Sequence, residues 1–357
     1  MTTRPVDQST RLVPHSRPLI TSSDIAAVTR ALRSGMLVQG PEVHAFEKEV
    51  GSFLGMPAGV ALSSGTAALH LALLGLGVGA GDEVILPSYV CVAPLHAIEY
   101  VGATPRLADA DPKTYNLDPD DVRRRMGRRT RAIIAPHLFG RPADLAPLLD
   151  LGVPVIEDCA QAVGAAYRGR PVGTFGAVAV LSFYATKLLT TGEGGMLLSR
   201  DPRLLARVRD LRDYDERRRH ALRFNYKLTD FQAALGRSQL RRFPAVLRRR
   251  AAIAASYRQA WSGLPLQLPE PGPQSTHAYH RFVITSGRAA TGIVRRLAAL
   301  GITARLPVFQ PLDRPLGLTP LPGTSQIHRH AVSLPIYPGL TQADEAAVVA
   351  AVRRVLG

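Results

Sequence analysis

Lysine is scarce in this chain. Its 357 residues include four lysines against forty arginines. Arginine stays protonated in proteins, whereas a desolvated lysine can lose its proton and attack a carbonyl carbon. Lys187, which stands in the stretch SFYATKLLTTGEGGML ahead of a glycine turn, is therefore a candidate amine nucleophile.

Cysteines and long apolar runs are also nearly absent. The two cysteines, Cys91 and Cys159, lie in apolar stretches without metal-ligand spacing. We therefore expect buried thiols rather than a disulfide framework or a metal site. No run of eighteen apolar residues occurs, and MTTRPVDQSTRLVPHSRPLI lacks the apolar core of a signal peptide. We expect a soluble cytoplasmic protein that does not enter a membrane.

Positive charge is in excess, with a formal net charge of +16 at pH 7. Clustered arginines and lysines bind phosphates through counterion release, so nucleic-acid binding is one interpretation. The basic residues are instead spread along amphipathic segments such as DVRRRMGRRTR, RVRDLRDYDERRRH and LRRFPAVLRRR, without interleaved aromatic residues. This distribution favours a solvated arginine-rich surface, which would also attract a polyanionic small substrate.

Apolar segments rich in valine and isoleucine alternate with helical segments. The apolar segments are GVALSSG, DEVILPS, RAIIAPH, VPVIEDC, VAVLSFY and GGMLLS. The alternation predicts an α/β domain with a largely parallel, buried sheet. Among the helices, SSDIAAVTRALRSG has Ser22 or Ser23 as its predicted N-cap and Gly35 at its predicted end.

The pattern changes after about residue 240. A long basic helix leads into the proline-rich connector LPLQLPEPGPQS, an HRFVIT strand, a helix near residues 293–300 and a final helix. These features predict a small α+β domain. We expect a large domain over residues 1–240 and the small domain over residues 241–357.

Polar or glycine-rich turns follow several predicted strands, where ligands of open α/β sheets bind. SSGTAALH could hold a phosphate at a helix N-terminus. Glu157 and Asp158 end another strand, and a carboxylate there could cap a helix or face a protonated ring nitrogen. Ser182 and Lys187 follow a third strand. A lone lysine here would be ordinary, but the three features together indicate pyridoxal phosphate.

These ordered motifs resemble the DegT/DnrJ/EryC1/StrS family of pyridoxal-phosphate aminotransferases, mostly enzymes of nucleotide sugars. The resemblance runs from SSDIAAVTRALRSGMLVQGPEVHAFEKEV through GDEVILPSYV, EDCAQAVGA, SFYATKLLTTGEGGML and FNYKLTDFQAALGRSQL to VSLPIYPGLT. It implies the fold-type I architecture: a large cofactor-binding domain with a mostly parallel seven-stranded sheet, and a small α+β C-terminal domain. It also implies a homodimer with shared sites, and amino transfer from an amino acid, L-glutamate by resemblance, to a keto group of a nucleotide-linked sugar.

The resemblance assigns roles to individual positions. Lys187 would form a Schiff base with the cofactor and carry the proton between the substrate carbon and the cofactor C4′. Asp158 would face the pyridine nitrogen, and Gln161 would contact the ring hydroxyl. The cofactor phosphate would be bound by backbone or side-chain groups of Thr66, Ala67, Ser182 and, from the neighbouring subunit, Asn225.

The chain departs from the family pattern at several positions. Cys91, in PSYVCVAP, stands where an aromatic residue usually stacks on the cofactor, and Lys227 replaces the usual arginine of NYR. Val308 and Phe309, in VFQPLDR, replace a His-Tyr pair. A keto-cyclitol or another non-nucleotide ketone is therefore an alternative substrate. A regulatory or nucleic-acid-binding protein that keeps the fold is a second alternative, and retention of Lys187 disfavours the dehydratase branch.

Other residues are weaker candidates. His137 ends a predicted strand and is more often a structural histidine in such a place. Arg281 and Arg305 could each bind a substrate carboxylate or a diphosphate, and the sequence does not choose between them. Gln39 and Gly40 lie in the segment that, in the family, borders the sugar pocket.

Overall fold

A computed structural model describes residues 12–215 and 218–357. Residues 1–11, the stretch MTTRPVDQSTR at the start of the predicted large domain, lie outside the described residues. The same is true of residues 216–217 in RVRDLRDYDERRRH. The α-helices within the described ranges are α1 Ser22–Arg33, α2 Pro41–Leu54, α3 Gly65–Gly75, α4 Ala93–Tyr100, α5 Pro119–Arg125, α6 Ala146–Leu149, α7 Pro202–Leu211, α8 Asp230–Trp261, α9 Ala290–Ala298, α10 Pro322–His330 and α11 Gln342–Leu356.

The β-strands belong to three sheets. They are β1 Val60–Leu62, β2 Glu83–Pro87, β3 Thr104–Ala108, β4 Thr130–Pro136, β5 Val155–Asp158, β6 Ala166–Tyr167, β7 Arg170–Pro171, β8 Val178–Ser182, β9 Gly195–Leu198, β10 Leu266–Gln267, β11 Phe282–Ser286 and β12 Ala331–Leu334. A 3-10 turn, Leu138–Gly140, follows β4.

The large sheet has seven strands in the order β1-β9-β8-β5-β4-β2-β3. Strand β9 runs antiparallel to both of its neighbours, and the other described pairs of this sheet are parallel. The predicted α/β class with a mostly parallel sheet is confirmed. Each of the six apolar segments forms one of these strands. The sequence patterns missed β3, because this edge strand contains Pro105 and Arg106 and is partly exposed.

Helices cover both faces of the large sheet. Successive residues of a strand face opposite sides. On β2, Val84 and Leu86 pack into a core with α3, α4 and α7, whereas Ile85 packs into a second core with α2, α5 and α8. The carboxyl ends of the parallel strands are left uncovered by this packing, so the turns that follow them can form a site.

A smaller three-stranded antiparallel sheet, β10-β11-β12, lies near the C-terminus. It packs with α9 and α11 around Tyr257, Trp261 and Phe282. Helix α8 supplies residues to two cores: Ala233 and Phe243 to the second core of the large sheet, and Tyr257 and Trp261 to the small one. A domain boundary at residue 240 stays a prediction, and it falls within this continuous helix.

The first helix begins at Ser22, one or two residues earlier than an N-cap at Ser22 or Ser23 predicts. Its N-cap is Thr21, not Ser22 or Ser23, because the backbone of Thr21 is extended and its N–H and hydroxyl both donate to the Asp24 carboxylate. Ser22 is already helical. The predicted end is confirmed, since Gly35 adopts a φ of +76° just after the C-cap Ser34. None of the helices described here is both long and apolar enough to cross a membrane.

The start of α8 is tied to the start of α2 by one buried carboxylate. Asp230 accepts hydrogen bonds from the backbone N–H groups of Gly40 at 2.8 Å, Val43 at 2.9 Å and Glu42 at 3.2 Å. A Cβ atom on Gly40 would lie 2.5 Å from Met36 Cγ and 2.7 Å from an Asp230 oxygen. Gly40 therefore has a packing role at this helix start.

Replacing this carboxylate should cost several hydrogen bonds at once. We expect Asp230→Ala to lower the free energy of unfolding by about 2–4 kcal/mol, since it removes a charged acceptor and a helix cap. Chemical denaturation at fixed protein concentration measures the change. The control is Asp201→Ala, which removes the exposed cap of α7 and should cost about 1 kcal/mol. A loss for Asp230→Ala no larger than for the control would contradict this role.

Candidate active site

The start of α3 and the end of β8 form a tight polar turn. A Cβ atom on Gly65 would lie 2.9 Å from the Ser182 Cβ, so only glycine permits this close approach. Ser64 is the N-cap of α3, and its hydroxyl accepts the Ala67 N–H at 3.0 Å. The N–H groups of Gly65 and Thr66 have no partner in the described part of the chain. Together with the Ser182 hydroxyl they fit a phosphate group.

The two adjacent carboxylates of β5, Glu157 and Asp158, have different surroundings and different hydrogen-bond partners. Glu157 is fully buried and accepts backbone N–H groups of Gly173, Phe175 and Gly176, each at 2.7 Å. Burial alone would raise its pKa, but the hydrogen bonds from His137 and the backbone hold the pKa below its ordinary value. Glu157 is thus a structural anion rather than a ligand-binding group.

His137 is part of the same structural anchor. Its Nδ1 accepts the Ala143 N–H at 3.0 Å, which leaves Nε2 to donate to Glu157 at 3.2 Å. Cys159 completes a buried group whose potential ligand atoms lie within 4.8 Å of one another. Because the nitrogens of His137 and the oxygens of Glu157 already have hydrogen-bond partners, these atoms hold the fold together. This geometry agrees with the interpretation of His137 as a structural histidine.

Asp158 points away from Glu157, as adjacent residues of a strand do. Its Oδ1 accepts the Ala160 N–H at 3.0 Å. Burial raises the pKa of Asp158, while the positive charge of Lys187 acts in the opposite direction. A buried carboxylate with so few donors is stabilised by a cation placed beside it.

Lys187 lies in the loop between β8 and β9, where its backbone N–H donates to the Tyr184 carbonyl at 2.8 Å. The side chain is half-buried. Desolvation lowers the pKa of its amine, the charge of Arg281 lowers it further, and Cys91 and Asp158 act in the opposite direction. The environment therefore favours a neutral amine more than water does.

Two further predicted residues lie at the margins of this region. Gln161 accepts the Phe139 N–H through Oε1 at 2.9 Å, which leaves its amide nitrogen without a partner among residues 12–215 and 218–357. Asn225 is exposed, and its side chain makes no hydrogen bond within those ranges. Next to it, Tyr226 accepts the Ser63 N–H at 2.8 Å, so Asn225 stands close to the start of α3.

Two of the three departures from the family pattern, Cys91 and the segment at residues 308–309, belong to loops that contact each other. Cys91 follows β2 in the loop that contains Ser88, and segment 308–313 docks on that loop. The Leu312 and Asp313 N–H groups donate to the Ser88 carbonyl and hydroxyl at 2.9 and 3.1 Å. Phe309, in the same segment, is 89% exposed. Two changes that are far apart in sequence thus lie in loops that are hydrogen-bonded to each other.

Cys159 is buried as predicted, but the prediction of a buried thiol is wrong for Cys91, which is exposed. The apolar stretch around it ends with β2, and Cys91 lies beyond that strand, at the open edge of the sheet. Desolvation by surrounding protein nevertheless raises the pKa of the thiol, while the charge of Lys187 lowers it. Cys91 faces the same region as the candidate amine.

Lys227 and Gln39 lie apart from the residues around Lys187 and Cys91. The Lys227 amine donates to Asp213 at 2.7 Å and to Asp215 at 2.8 Å, so it serves as a paired cation. Gln39 is partly buried, and its Oε1 has no hydrogen-bond partner in the part of the chain that the structure describes.

A cavity of about 390 Å³ is lined in part by Thr186, which precedes Lys187 in the chain. Its walls come from the N-terminal segment 14–16, from Thr186 and from the small sheet and its flanking loops. The predicted residues Arg281 and Arg305 line it together with His15 and His280, which the sequence patterns missed. No local signal could have found the two histidines, because they meet only when the N-terminal segment pairs with residues 301–303.

The ionised state of Glu157 should make stability depend on pH. We expect Glu157→Gln to lower the free energy of unfolding by about 2–4 kcal/mol at pH 7, because backbone donors lose a charged acceptor. The folded-state pKa lies below the ordinary value of 4.5, so this stabilisation is present above pH 4.5 and is lost as the pH falls through the folded-state pKa.

Denaturant unfolding of both proteins at about pH 7, 5 and 3 tests this expectation, since the difference between wild type and variant should narrow as the pH falls. Glu270→Gln, at an exposed carboxylate, is the control and should change little at any pH. A difference that stays constant or widens toward low pH would contradict the assignment.

Comparisons with known proteins agree with this geometry. Residues 18–353 match the model of the DegT/DnrJ/EryC1/StrS aminotransferase family. GDP-perosamine synthase of Caulobacter vibrioides is 38% identical over 331 residues, which are 87% of this chain and 89% of that protein.

Two solved structures have nearly the same fold. S. venezuelae DesV, in complex with a ketimine intermediate, has 35% sequence identity and a TM-score of 0.90, covering 96% of this chain and 98% of its own. Spr1654 of Streptococcus pneumoniae in its PLP form has 27% identity and a TM-score of 0.90, covering 97% of this chain and 100% of its own. The chain belongs to the DegT/DnrJ/EryC1/StrS aminotransferase family.

Proposed function

We propose that this aminotransferase uses pyridoxal phosphate to move an amino group from an amino acid to a keto group of a nucleotide-linked sugar. One observation carries the proposal: Asp158, Lys187 and the polar turn at Gly65 and Ser182 all lie at the carboxyl edge of the same sheet. That edge is where α/β sheets bind ligands. The name of the 38% identical relative, GDP-perosamine synthase, supports the choice of a nucleotide sugar.

The residues present fit the cofactor. The free N–H of Thr66 and the Ser182 hydroxyl would bind its phosphate, with Ala67 in the same helix turn. Asp158, shielded from water, would hold a proton on the ring nitrogen, and the amide nitrogen of Gln161 would reach the ring hydroxyl. When bound, pyridoxal phosphate supplies an electron sink for the substrate carbon that loses its proton.

Lys187 has two tasks in this proposal. Its desolvated amine can act as a nucleophile toward a carbonyl carbon, which a protonated amine cannot. With its amine neutral, Nζ would also be a base that can take a proton from the substrate carbon and hold it. Asp158 keeps an opposite charge nearby and so stabilises the cation that forms at Nζ.

The assembly we propose is a homodimer in which Asn225 completes the phosphate site of the neighbouring subunit. Asn225 is exposed, so a neighbouring subunit can reach its side chain. Apolar side chains near the N-terminus are also exposed: Ile25 by 61%, Leu32 by 50% and Val38 by 61%. A patch of this kind is typical of a surface that a partner covers.

Covalent attachment can be located among the four lysines. We expect sodium borohydride to fix added pyridoxal phosphate on Lys187, because its amine is desolvated near Asp158. Peptide mass spectrometry should find the adduct on Lys187 and not on Lys48, Lys113 or Lys227. Lys187→Arg should abolish the adduct, and Lys113→Arg, the matched control, should retain it. An adduct confined to another lysine would refute the assignment of Lys187.

The acceptor can be identified by direct comparison. We expect a nucleotide-linked ketosugar to be aminated with a kcat/KM at least about 100-fold above that of a keto-inositol, because a binding site built for polar groups rejects ligands that lack them. Product formation followed by mass spectrometry measures both rates. Preference for the keto-inositol would instead support the cyclitol alternative. Amination of neither, with salt-sensitive DNA binding that survives Lys187→Ala, would support the regulatory one.

A further inference from the structure

The segment from Phe224 to Tyr226, called the Asn225 segment below, is tied by backbone hydrogen bonds to the end of α7 and to the start of α3. The N–H groups of Phe224 and Tyr226 donate to the carbonyl groups of residues 211–212, at 2.8 and 3.1 Å. The Tyr226 carbonyl accepts the Ser63 N–H at 2.8 Å. Asn225 itself is exposed, and its side chain makes no hydrogen bond among the described residues.

The end of α7 that receives these bonds is itself held by a buried ion pair. Arg212 donates to Glu47 at 2.6 Å and to the Ala61 carbonyl at 2.9 Å. The same Glu47 oxygen accepts the Ala61 N–H at 2.8 Å. Helix α2, strand β1 and the end of α7 thus meet at one carboxylate. The backbone of the Asn225 segment is therefore attached to a fixed part of the large domain.

The side chains of the Asn225 segment pack on a histidine of α3. The rings of Phe224 and Tyr226 stack, with their centroids 5.0 Å apart and their planes at 13° to each other. His70 meets both rings edge-on, at centroid distances of 4.7 and 5.9 Å. Its Nδ1 also forms a hydrogen bond of 3.2 Å with the Tyr226 hydroxyl. His70, which is buried, thus contacts the side chains on both sides of Asn225.

Packing alone does not require a histidine at position 70. An apolar side chain could fill the space beside the two rings, but it could not form a hydrogen bond with the Tyr226 hydroxyl. Burial lowers the pKa of His70, so the imidazole is neutral at pH 7 and adds no charge to α3. The hydrogen bond therefore serves to fix the ring that adjoins Asn225 in the chain.

We propose that His70 is a positioning residue: by holding Phe224 and Tyr226, it fixes Asn225 in the orientation that binds the cofactor phosphate of the neighbouring subunit. The inference rests on the proposed function, which supplies the cofactor, the homodimer and the role of Asn225. An amide forms a strong hydrogen bond only within a narrow range of distance and angle. A mobile Asn225 would have to be ordered when the cofactor binds, and that entropic cost would weaken binding.

Helix α3 would then serve both sites of the dimer. Its first turn offers the N–H groups of Gly65 and Thr66 to the phosphate in its own subunit. His70, further along the same helix, holds the segment whose Asn225 serves the other subunit. Because the two contributions of α3 act on different sites, an experiment can separate them.

Titration of the full-length protein, stripped of cofactor, with pyridoxal phosphate gives the half-saturating cofactor concentration by absorbance. We expect His70→Phe and Tyr226→Phe each to raise it about fivefold, because each removes the same hydrogen bond. The double variant should show no larger rise than either single variant, since only one interaction is lost. His96→Phe is the matched control: His96 stacks on Tyr100, has no described contact with the Asn225 segment and should bind cofactor as wild type does.

Hybrid dimers locate the effect. A subunit with Lys187→Arg cannot form the borohydride-trapped adduct, so a dimer with one such subunit reports a single site. We expect His70→Phe to weaken cofactor binding about fivefold when it is in the Lys187→Arg subunit, whose Asn225 serves the intact site. In the subunit that keeps Lys187, the same change should have no effect. An equal loss in both hybrids, or a loss only in the second, would overturn the proposal, because His70 would then act on its own subunit.

Amide hydrogen exchange provides a readout that needs no cofactor. The peptide that contains the Asn225 segment should exchange faster in His70→Phe and Tyr226→Phe than in wild type or His96→Phe. Unchanged exchange in both variants would overturn the proposal even if cofactor affinity fell. Failure of the proposed function is a separate result: wild type would bind no cofactor, or Asn225→Ala would not weaken binding, while exchange still responded to His70→Phe. That result would overturn the link from His70 to the phosphate as well.

Discussion

The buried carboxylate of Glu157 is the constraint on which the site depends. An ionised group in the interior is tolerated only when it is fully hydrogen-bonded, and Glu157 meets this condition with three backbone donors and His137. Those bonds fix the end of β5 and the loop at residues 173–176 against each other. Because strand residues alternate in direction, holding Glu157 on one face presents Asp158 on the other. The orientation of Asp158 therefore follows from a structural anion on the opposite face of the strand.

Arginine side chains stabilise the packing of this fold through hydrogen bonds and ion pairs. Arg250 is buried and donates to the carbonyl oxygens of Tyr279, His280 and Ile336 at 2.9, 3.3 and 3.0 Å. Its fixed fork holds the cavity wall against α8, which a flexible ammonium group would do less rigidly. Lysine also serves as a paired cation here, as Lys227 does with Asp213 and Asp215, but burial lowers the pKa of Lys187. The composition is thus informative about Lys187 because the two cations differ in chemistry.

Much of the fold could be predicted because buried parallel strands are short, apolar and bounded by turns. Strand β3 escaped detection, since Pro105 and Arg106 belong to an exposed edge that burial does not select. The candidate site residues were indicated for a similar reason: Asp158 and Ser182 end two of these strands, and Lys187 lies in the loop that follows Ser182. The exposure of Cys91 and the cap at Thr21 were not predicted. Both depend on where a strand or a helix ends, and sequence patterns locate such ends poorly.

The cavity walls were not predictable at all. His15 and His280 come from segments at opposite ends of the chain, and their meeting depends on tertiary packing alone. Likewise, the docking of residues 312 and 313 on Ser88 joins two sequence departures that give no sign of contact in the linear chain. The local sequence therefore indicates that Lys187 is a candidate nucleophile. The shape of the cavity depends on contacts between residues far apart in the sequence.

Helix α8 passes without interruption from the core of the large sheet to that of the small one. Pro244 lies within it and has no N–H to offer the carbonyl one turn earlier, which makes that turn the softest part of the helix. The hydrogen bonding of α8 is therefore weakest at one turn of the helix that joins the two cores. The cores of the two sheets are thus joined by one continuous helix that lacks a backbone hydrogen bond at Pro244.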